Sequence, residues 1–388
     1  MTTDREARWR AWRPHVWLFV PYYDKNGVLE SPEYDLPAFR MEVQGWFDTI
    51  GLTWQWVPVT LHSAGATIEA FSAAHRDPPG VVFNLCDGNE LDGSPGVSVV
   101  RALEEARAPF TGSASAFYDL TTYKTPMKAR LVERGVATAP FLRLANLPGD
   151  LARIEREVGF PAFIKPEVSA GSGGIALTSR VTSLDDAEAR IEQLMSGEDG
   201  PFYRRSGLFV ERFVDGPEFT VLVVADRSAP RGVRAYPPAE RIFHSDLPPH
   251  ERFLSYDRYW SLYTEESRLS PAEPFYRYGL APSACAPALA DLAERAFVAV
   301  DGTGYGRVDI RLDSHSGEFR VLEVNSNCGL SGDRETSVGE LLFLACVPVH
   351  HLLIQILRDA FDRHVASSSV EAGFSRPRRD ASPSGLPA

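Results

Sequence analysis

Cysteine is scarce: Cys86, Cys285, Cys328 and Cys346 are the only four in 388 residues, and none stands in a Cys-x-x-Cys spacing. That argues against a disulfide scaffold or a cysteine-built zinc site. Long apolar runs are missing too. No stretch approaches the roughly 20 residues of a membrane span, and Met1 to Arg13 mixes acids, bases and tryptophans without a signal-peptide core. The expectation is a cytoplasmic chain with no membrane partner. Positive charge is in deficit, with 40 basic against 52 acidic side chains and a formal net charge of −12. Such a field repels polyanions and argues against nucleic acid as the partner. Lysine is the rarest basic residue. It occurs only at Lys25, Lys124, Lys128 and Lys165, the other 36 of the 40 basic residues being arginine. A surviving lysine marks a place where a compact ammonium fits and a planar guanidinium does not.

What is present describes a globular chain. A hydrophobic share of 44% and a charged share of 24% provide a core, and 388 residues exceed one small domain. Apolar runs at His15–Tyr23, Trp54–Val59 and Gly80–Leu85 read as strands, and Leu36–Ile50 and Pro95–Ala106 as helices between them. This alternation predicts a parallel α/β unit over 1–118. A second unit, 119–205, opens with one helix from Asp119 to Arg134. An extended piece at Ala139–Leu144 and a helix at Leu147–Val158 follow. Strands at Pro161–Val168 and Ile175–Val181 flank a glycine-serine loop, and a helix from Ser183 to Met195 closes the unit. The third, 206–365, reads as strands at Leu208–Val214 and Phe219–Val224, a strand near Val233–Phe243 and a long aromatic flap to Tyr278. A helix at Ala286–Val300, two strands around Arg307 and Glu323, and a terminal helix from Val338 to His364 complete it. Residues 366–388, rich in serine, proline and arginine, read as a disordered tail.

Three stretches carry chemistry. In Gly306-Arg307-Val308-Asp309-Ile310 and Val321-Leu322-Glu323-Val324-Asn325 the polar residues are two apart and share one strand face. A hairpin with a three-residue loop at His315-Ser316-Gly317 sets Asp309 opposite Glu323 and Arg307 opposite Asn325. Opposed carboxylates repel unless a cation separates them, and oxygen ligands suit magnesium; a solvated hairpin face is the plainer alternative. Lys165-Pro166 precedes Ser169-Ala170-Gly171-Ser172-Gly173-Gly174, which is either a phosphate cover or a mobile hairpin tip. Glu211 and Glu218 flank Asp215-Gly216-Pro217, as a nucleotide seat or a surface hairpin. His350, His351 and Cys328 read as structural.

Taken in order, these signals resemble the ATP-grasp superfamily, specifically its D-alanine–D-alanine ligase-like branch: a lysine before a glycine-rich loop, Glu-x-x-x-x-Gly-x-Glu, Arg-x-Asp, then Glu-x-Asn. The resemblance covers Val81 to about Leu342. It implies three α/β subdomains with ATP between the second and third, and an acyl-phosphate route to an amide with release of ADP and phosphate. It implies that Lys165 contacts the adenine and the α-phosphate, that Lys124 touches the phosphates, that Ser169, Gly171, Ser172 and Gly173 cover them, and that Glu211 with Arg212, Phe213 and Val214 holds adenine. Glu218 would take the ribose. Asp309, Glu323 and Asn325 would hold two magnesium ions, with manganese as a substitute. Arg307 and the N–H of Gly329 would steady the oxyanion, and Arg334 and Tyr256 are the candidates for substrate contact.

The chain also departs from the branch. It reads Pro21 to Gly27 where the cell-wall ligases carry a Gly-Gly and Ser-Glu-His region, Cys86-Asp87-Gly88 where they carry His-Gly, and Leu330 to Arg334 where their substrate serine lies. The expected function is therefore a carboxylate–amine ligase of amino acids in a specialised pathway. A D-alanine–D-alanine ligase of cell-wall synthesis is the alternative, and a non-catalytic ATP-binding regulator the alternative of another class. Homodimer formation is left open.

Overall fold

The computed structural model describes residues 2–74, 80–145, 147–264 and 269–374. Helix α1 (Thr2–Ala11) leads into β1 (Val16–Pro21), a small hairpin of β2 (Tyr23–Lys25) and β3 (Val28–Glu30), α2 (Pro37–Ile50), β4 (Trp54–Val59), α3 (Ala64–Ala74), β5 (Val81–Asn84) and α4 (Val97–Glu105). The sheet is parallel in the order β4-β1-β5, as alternating strands and helices require. Gly51 ends α2 in the left-handed conformation, φ 73°, with its N–H on the Phe47 carbonyl.

The expected helix from Asp119 to Arg134 is two helices, α5 (Ser115–Thr122) and α6 (Lys124–Glu133). The extended backbone of Tyr123 breaks them and leaves Lys124 at the start of α6. There Thr125 N–H donates to the Glu167 carboxylate at 2.8 Å, so the orphan donors of a helix N-terminus meet a buried anion. The lid follows as β6 (Phe141–Leu144), α7 (Leu147–Arg153), β7 (Ala162–Pro166), β8 (Arg180–Val181), α8 (Leu184–Ser196), α9 (Gly200–Ser206) and β9 (Leu208–Arg212). Ser183 caps α8 as its position suggests, accepting from Asp186 N–H at 3.1 Å. The strand expected over Ile175–Val181 shrinks to β8, because Leu177–Ser179 winds into a 3-10 turn.

The lid sheet runs β6-β9-β7-β8. Strand β9 therefore does not pair with the strand after it, as a surface hairpin would. It adds to the sheet of the second unit, past the expected division at 206. The chain continues as β10 (Glu218–Ala225), β11 (Val233–Ala235), β12 (Ala239–Phe243), α10 (Tyr256–Tyr259), β13 (Tyr276–Leu280), α11 (Ala286–Ala299), β14 (Tyr305–Leu312), β15 (Phe319–Ser326), α12 (Ser337–Leu344) and α13 (Val349–Phe374). Its six-stranded antiparallel sheet runs β13-β12-β10-β14-β15, with β11 on β10.

The single terminal helix expected over Val338–His364 is also two, broken where Cys346 takes φ 54° ahead of Pro348. Helix α13 extends to Phe374, so the tail expected from 366 is helical over its first residues; 375–388 lie outside the described residues. Val338, Leu341, Leu342, Leu352, Leu353, Ile356 and Leu357 share one core with α2, β1 and β5, which joins the last helices to the first unit. The opposite face of the large sheet buries α11 through Leu289, Leu292, Ala293, Ala296 and Phe297. No single helix among the described residues is long and apolar enough to cross a membrane.

Candidate active site

Between the lid sheet and the large sheet lies a cavity of about 530 Å³ that reaches the first unit. The hairpin of β14 and β15 forms its floor. Arg307 faces Asn325 and Asp309 faces Glu323, the pairing that two-residue periodicity anticipates. The route to it differs from the expected three-residue loop. Asp313 N–H meets the Glu318 carbonyl, which leaves four residues in the turn, and a bulge between Asp309 and Ile310 leaves Leu322 as the extra residue, restoring the acid pair.

Within the hairpin, Arg307 donates through Nε and Nη2 to Asp309, at 3.1 and 2.9 Å. Thr220 donates to Asp309 Oδ1 at 2.7 Å. The Asn325 amide reaches Asp309 Oδ2 at 3.1 Å and Glu323 Oε1 at 3.2 Å. Burial works against the Arg307 cation, but Asp309 outweighs it and raises its pKa. Among the described residues no three of His, Cys, Asp and Glu gather as a metal cage. Two opposed carboxylates and an amide are instead what a magnesium ion needs when phosphate oxygens supply its other ligands.

The lysines converge beside this hairpin. Lys124 Nζ lies 3.7 Å from Glu323 Oε2 and donates to the Ser169 carbonyl at 3.2 Å. Lys165 Nζ is 2.6 Å from Glu211 Oε1. Lys128, which carries no role in the sequence reading, meets the other Glu211 oxygen at 2.7 Å. Burial alone would lift the Glu211 carboxyl, yet the two ammonium groups hold it down to about 2.

Phe213 stacks on Phe163 at 5.7 Å between ring centres, with Phe253 edge-on at 4.9 Å, giving a flat apolar wall. Arg212 and Val214 line the same cavity. Glu218 lines it too, but both its oxygens are taken, one by Arg241 and the other by Arg311 Nε at 2.9 Å. A ribose would have to share that carboxylate. Sequence reasoning misses Arg241, Arg311 and Glu167. For Arg311 a signal exists, since it lies two residues beyond Asp309 on the same alternating face.

Ser169, Gly171 and Ser172 line the cavity, whereas Gly173 faces a smaller cleft shared with Tyr203 and Tyr256. The flap is docked on this loop: Tyr256 N–H donates to the Ile175 carbonyl at 2.8 Å, and the Trp260 ring lies against Gly171. Tyr256 itself is 45% exposed and outside the cavity. Arg334 is outside as well, paired with Glu340 at 2.8 Å and stacked over Phe343. Neither expected substrate contact is at the site. Gly329 is on the cavity wall, beside Asn327, whose Oδ1 accepts from Ser113 N–H at 2.8 Å. Cys328 is buried there, its thiol pushed up to about 12 by desolvation, as a filler and not a nucleophile.

The end formed by the first unit is acidic. Glu33, Asp87 and Asp92 line it with Tyr23 and Tyr34. Burial pushes the Asp87 carboxyl up to about 7, although Tyr34 donates to it at 2.7 Å. Glu33 is raised by burial and by Asp92.

Fold and site define an ATP-grasp enzyme, an ATP-dependent ligase that joins a carboxylate to an amine through a carbon–nitrogen bond. A family model described as D-ala D-ala ligase C-terminus matches residues 132–337, more than half of the chain. The chain belongs to that family. It is 27% identical over 293 residues to a D-alanine–D-alanine ligase of Xanthomonas axonopodis pv. citri (strain 306), covering 70% of this chain and 81% of the relative. The D-alanine–D-alanine ligase of Bacillus anthracis complexed with ATP superposes with a TM-score of 0.61 at 15% identity, over 91% of this chain and 99% of that one. The ligase from Coxiella burnetii gives 0.59 at 13% identity, over 93% and 98%. At such identities the structures speak for the fold.

Proposed function

We propose that the protein binds ATP and magnesium, phosphorylates an amino-acid carboxylate and couples the acyl phosphate to a second amino acid, and that D-alanine is the substrate its relatives best support. This reverses the expected order, in which a specialised pathway came first. The observation that carries the reading is a single cavity joining two lysines, Lys124 and Lys165, and the Asp309–Glu323 pair to Arg307, Gly329 and an acidic far wall. Magnesium held by Asp309, Glu323 and Asn325 would neutralise charge on the transferring phosphoryl group. Lys165 and Lys124 would hold the phosphates. Arg307 and the Gly329 N–H would meet the oxygen that becomes negative when the amine attacks. Glu33, Asp87 and Asp92 suit a substrate ammonium. The docked loop and flap would keep water from the acyl phosphate. A cytoplasmic setting, where ATP is available, is part of the proposal.

The acidic wall, together with the surface position of Arg334, favours a second reading in which another amino-acid pair is joined. Incubation with ATP, magnesium and D-alanine alone separates the two. Phosphate release with the D-dipeptide supports the first; no product from D-alanine, but product from another pair in a screen, supports the second.

Hydroxylamine is expected to trap the activated acid as a hydroxamate in an ATP-dependent manner, with ADP as the other product. AMP and pyrophosphate in its place would mean an adenylate and end the acyl-phosphate reading.

Lysine scarcity provides a further check. Lys25 is exposed and pairs with Glu30 at 2.9 Å, so Lys25→Arg is expected to leave ATP use unchanged. Lys165→Arg changes both reach and donor direction in a closed pocket. Loss of one charge-assisted contact, about 1.5–3 kcal/mol, corresponds to roughly a ten- to hundredfold rise in the KM for ATP. Equal tolerance at the two positions would detach Lys165 from the nucleotide.

A further inference from the structure

Lys128 is the buried lysine that the proposed chemistry leaves unused. Its side chain is 1% exposed, on α6, at the seam between the lid and the large sheet. Nζ makes two polar contacts that point to opposite sides of that seam. One is Glu211 Oε2 on lid strand β9, at 2.7 Å. The other is the Thr138 hydroxyl, at 2.8 Å, which itself donates to the Val321 carbonyl of β15 at 2.7 Å. Val321 lies two residues before Glu323 on the same strand. The second Glu211 oxygen holds Lys165. A continuous polar chain thus runs from β15 through Thr138, Lys128 and Glu211 to Lys165.

We infer that Lys128 is a positioning residue for ATP use: it ties Glu211 to the strand carrying Glu323 and so keeps the Lys165 ammonium available to the nucleotide. With two ammonium groups on one carboxylate, Glu211 satisfies neither completely, and Lys165 retains donors for a phosphate. Remove Lys128 and the buried carboxylate has one cation left; Lys165 is then claimed by Glu211, and the tether to β15 is cut. Arginine carries the same charge, but its fork is too broad for a pocket fully closed around a single ammonium. That accounts for a lysine persisting here in an arginine-rich chain. The inference rests on Lys165 meeting the nucleotide.

The test compares Lys128→Met, Glu211→Gln, the double variant and Lys165→Met, with the KM for ATP, the KM for each amino-acid substrate, kcat and the thermal midpoint measured for all. Lys128→Met is expected to raise the KM for ATP at least tenfold with the amino-acid KM values within twofold. The double variant is expected to lose less than the two single variants combined, because a neutral glutamine no longer seizes Lys165. An ATP KM in Lys128→Met within threefold of wild type overturns the inference, as does a common loss across all parameters, the mark of a merely structural role. Should Lys128→Met fail to fold, Thr138→Val decides: it cuts the link to Val321 without removing a charge, and an unchanged KM for ATP overturns the inference. Lys165→Met distinguishes the two levels. If it leaves ATP binding intact, the nucleotide reading itself fails; if it weakens ATP while Lys128→Met does not, only the positioning role fails.

Discussion

Glu323→Ala is expected to lower kcat by about a thousandfold at saturating ATP and magnesium while the protein unfolds at the wild-type temperature. The two halves have one cause. Glu323 stands directly opposite Asp309 on the neighbouring strand, and its nearest cation, Lys124, is 3.7 Å away. Like charges so placed oppose the fold, so deleting one costs it little. In the proposed function the carboxylate would help hold the magnesium that neutralises charge in phosphoryl transfer, and one acid with an amide would hold that ion poorly. Losing several kcal/mol of charge stabilisation, about 4, corresponds to a factor near a thousand. Turnover by phosphate release and a thermal melt of the same preparation check both halves. Near-normal turnover would remove the hairpin from the chemistry; a collapsed melting temperature would make Glu323 a structural residue.

The hairpin is legible in the sequence because its information is local. Alternation fixes which residues share a face, and two acids that cannot stand opposed without a cation announce a function. Even here the turn has four residues and not three, and the bulge that leaves Leu322 unpaired offsets the difference. Strand β9 shows where locality ends. Leu208 to Arg212 is apolar enough to pair with any neighbour, and only the assembled lid places it between β6 and β7. The breaks at Tyr123 and Cys346 do have a signal, in Pro126 and Pro348 inside the expected helices, and only their exact positions are set by packing. Lys128 and Arg241 are missed for a related reason. Scarcity marks Lys128 as unusual and nothing marks Arg241, but each gains its meaning only from a carboxylate on another strand, Glu211 or Glu218. The substrate end departs furthest from expectation. Arg334 carries the right charge for a carboxylate, but Glu340 and Phe343 hold it on the outer surface, while Glu33 and Asp87, from separate segments, line the cavity.

Arg307→Lys is expected to lower kcat by roughly a hundred- to a thousandfold with the KM for ATP within threefold. Asp309 engages Nε and Nη2 of the guanidinium, and Arg307 lines the cavity, so in the proposed function Nη1 would be the donor for a substrate oxygen. An arginine can therefore neutralise Asp309 and stabilise a developing oxyanion together, and it does so without reorganising. A lysine keeps the charge, so Asp309 is not left uncompensated and the fold survives, but a point-charge ammonium lacks the rigid planar fork that would hold one donor on Asp309 and another on the substrate oxygen in fixed directions. The expected loss is that of one pre-placed donor at an oxyanion, about 2.7–4 kcal/mol. In the proposed function Arg307 would meet the acyl oxygen while Lys165 would meet the nucleotide, so the effect is expected in kcat. Steady-state kinetics with varied ATP decides it. A change confined to the KM for ATP would move Arg307 to the nucleotide, and a wild-type kcat would leave it with Asp309 alone.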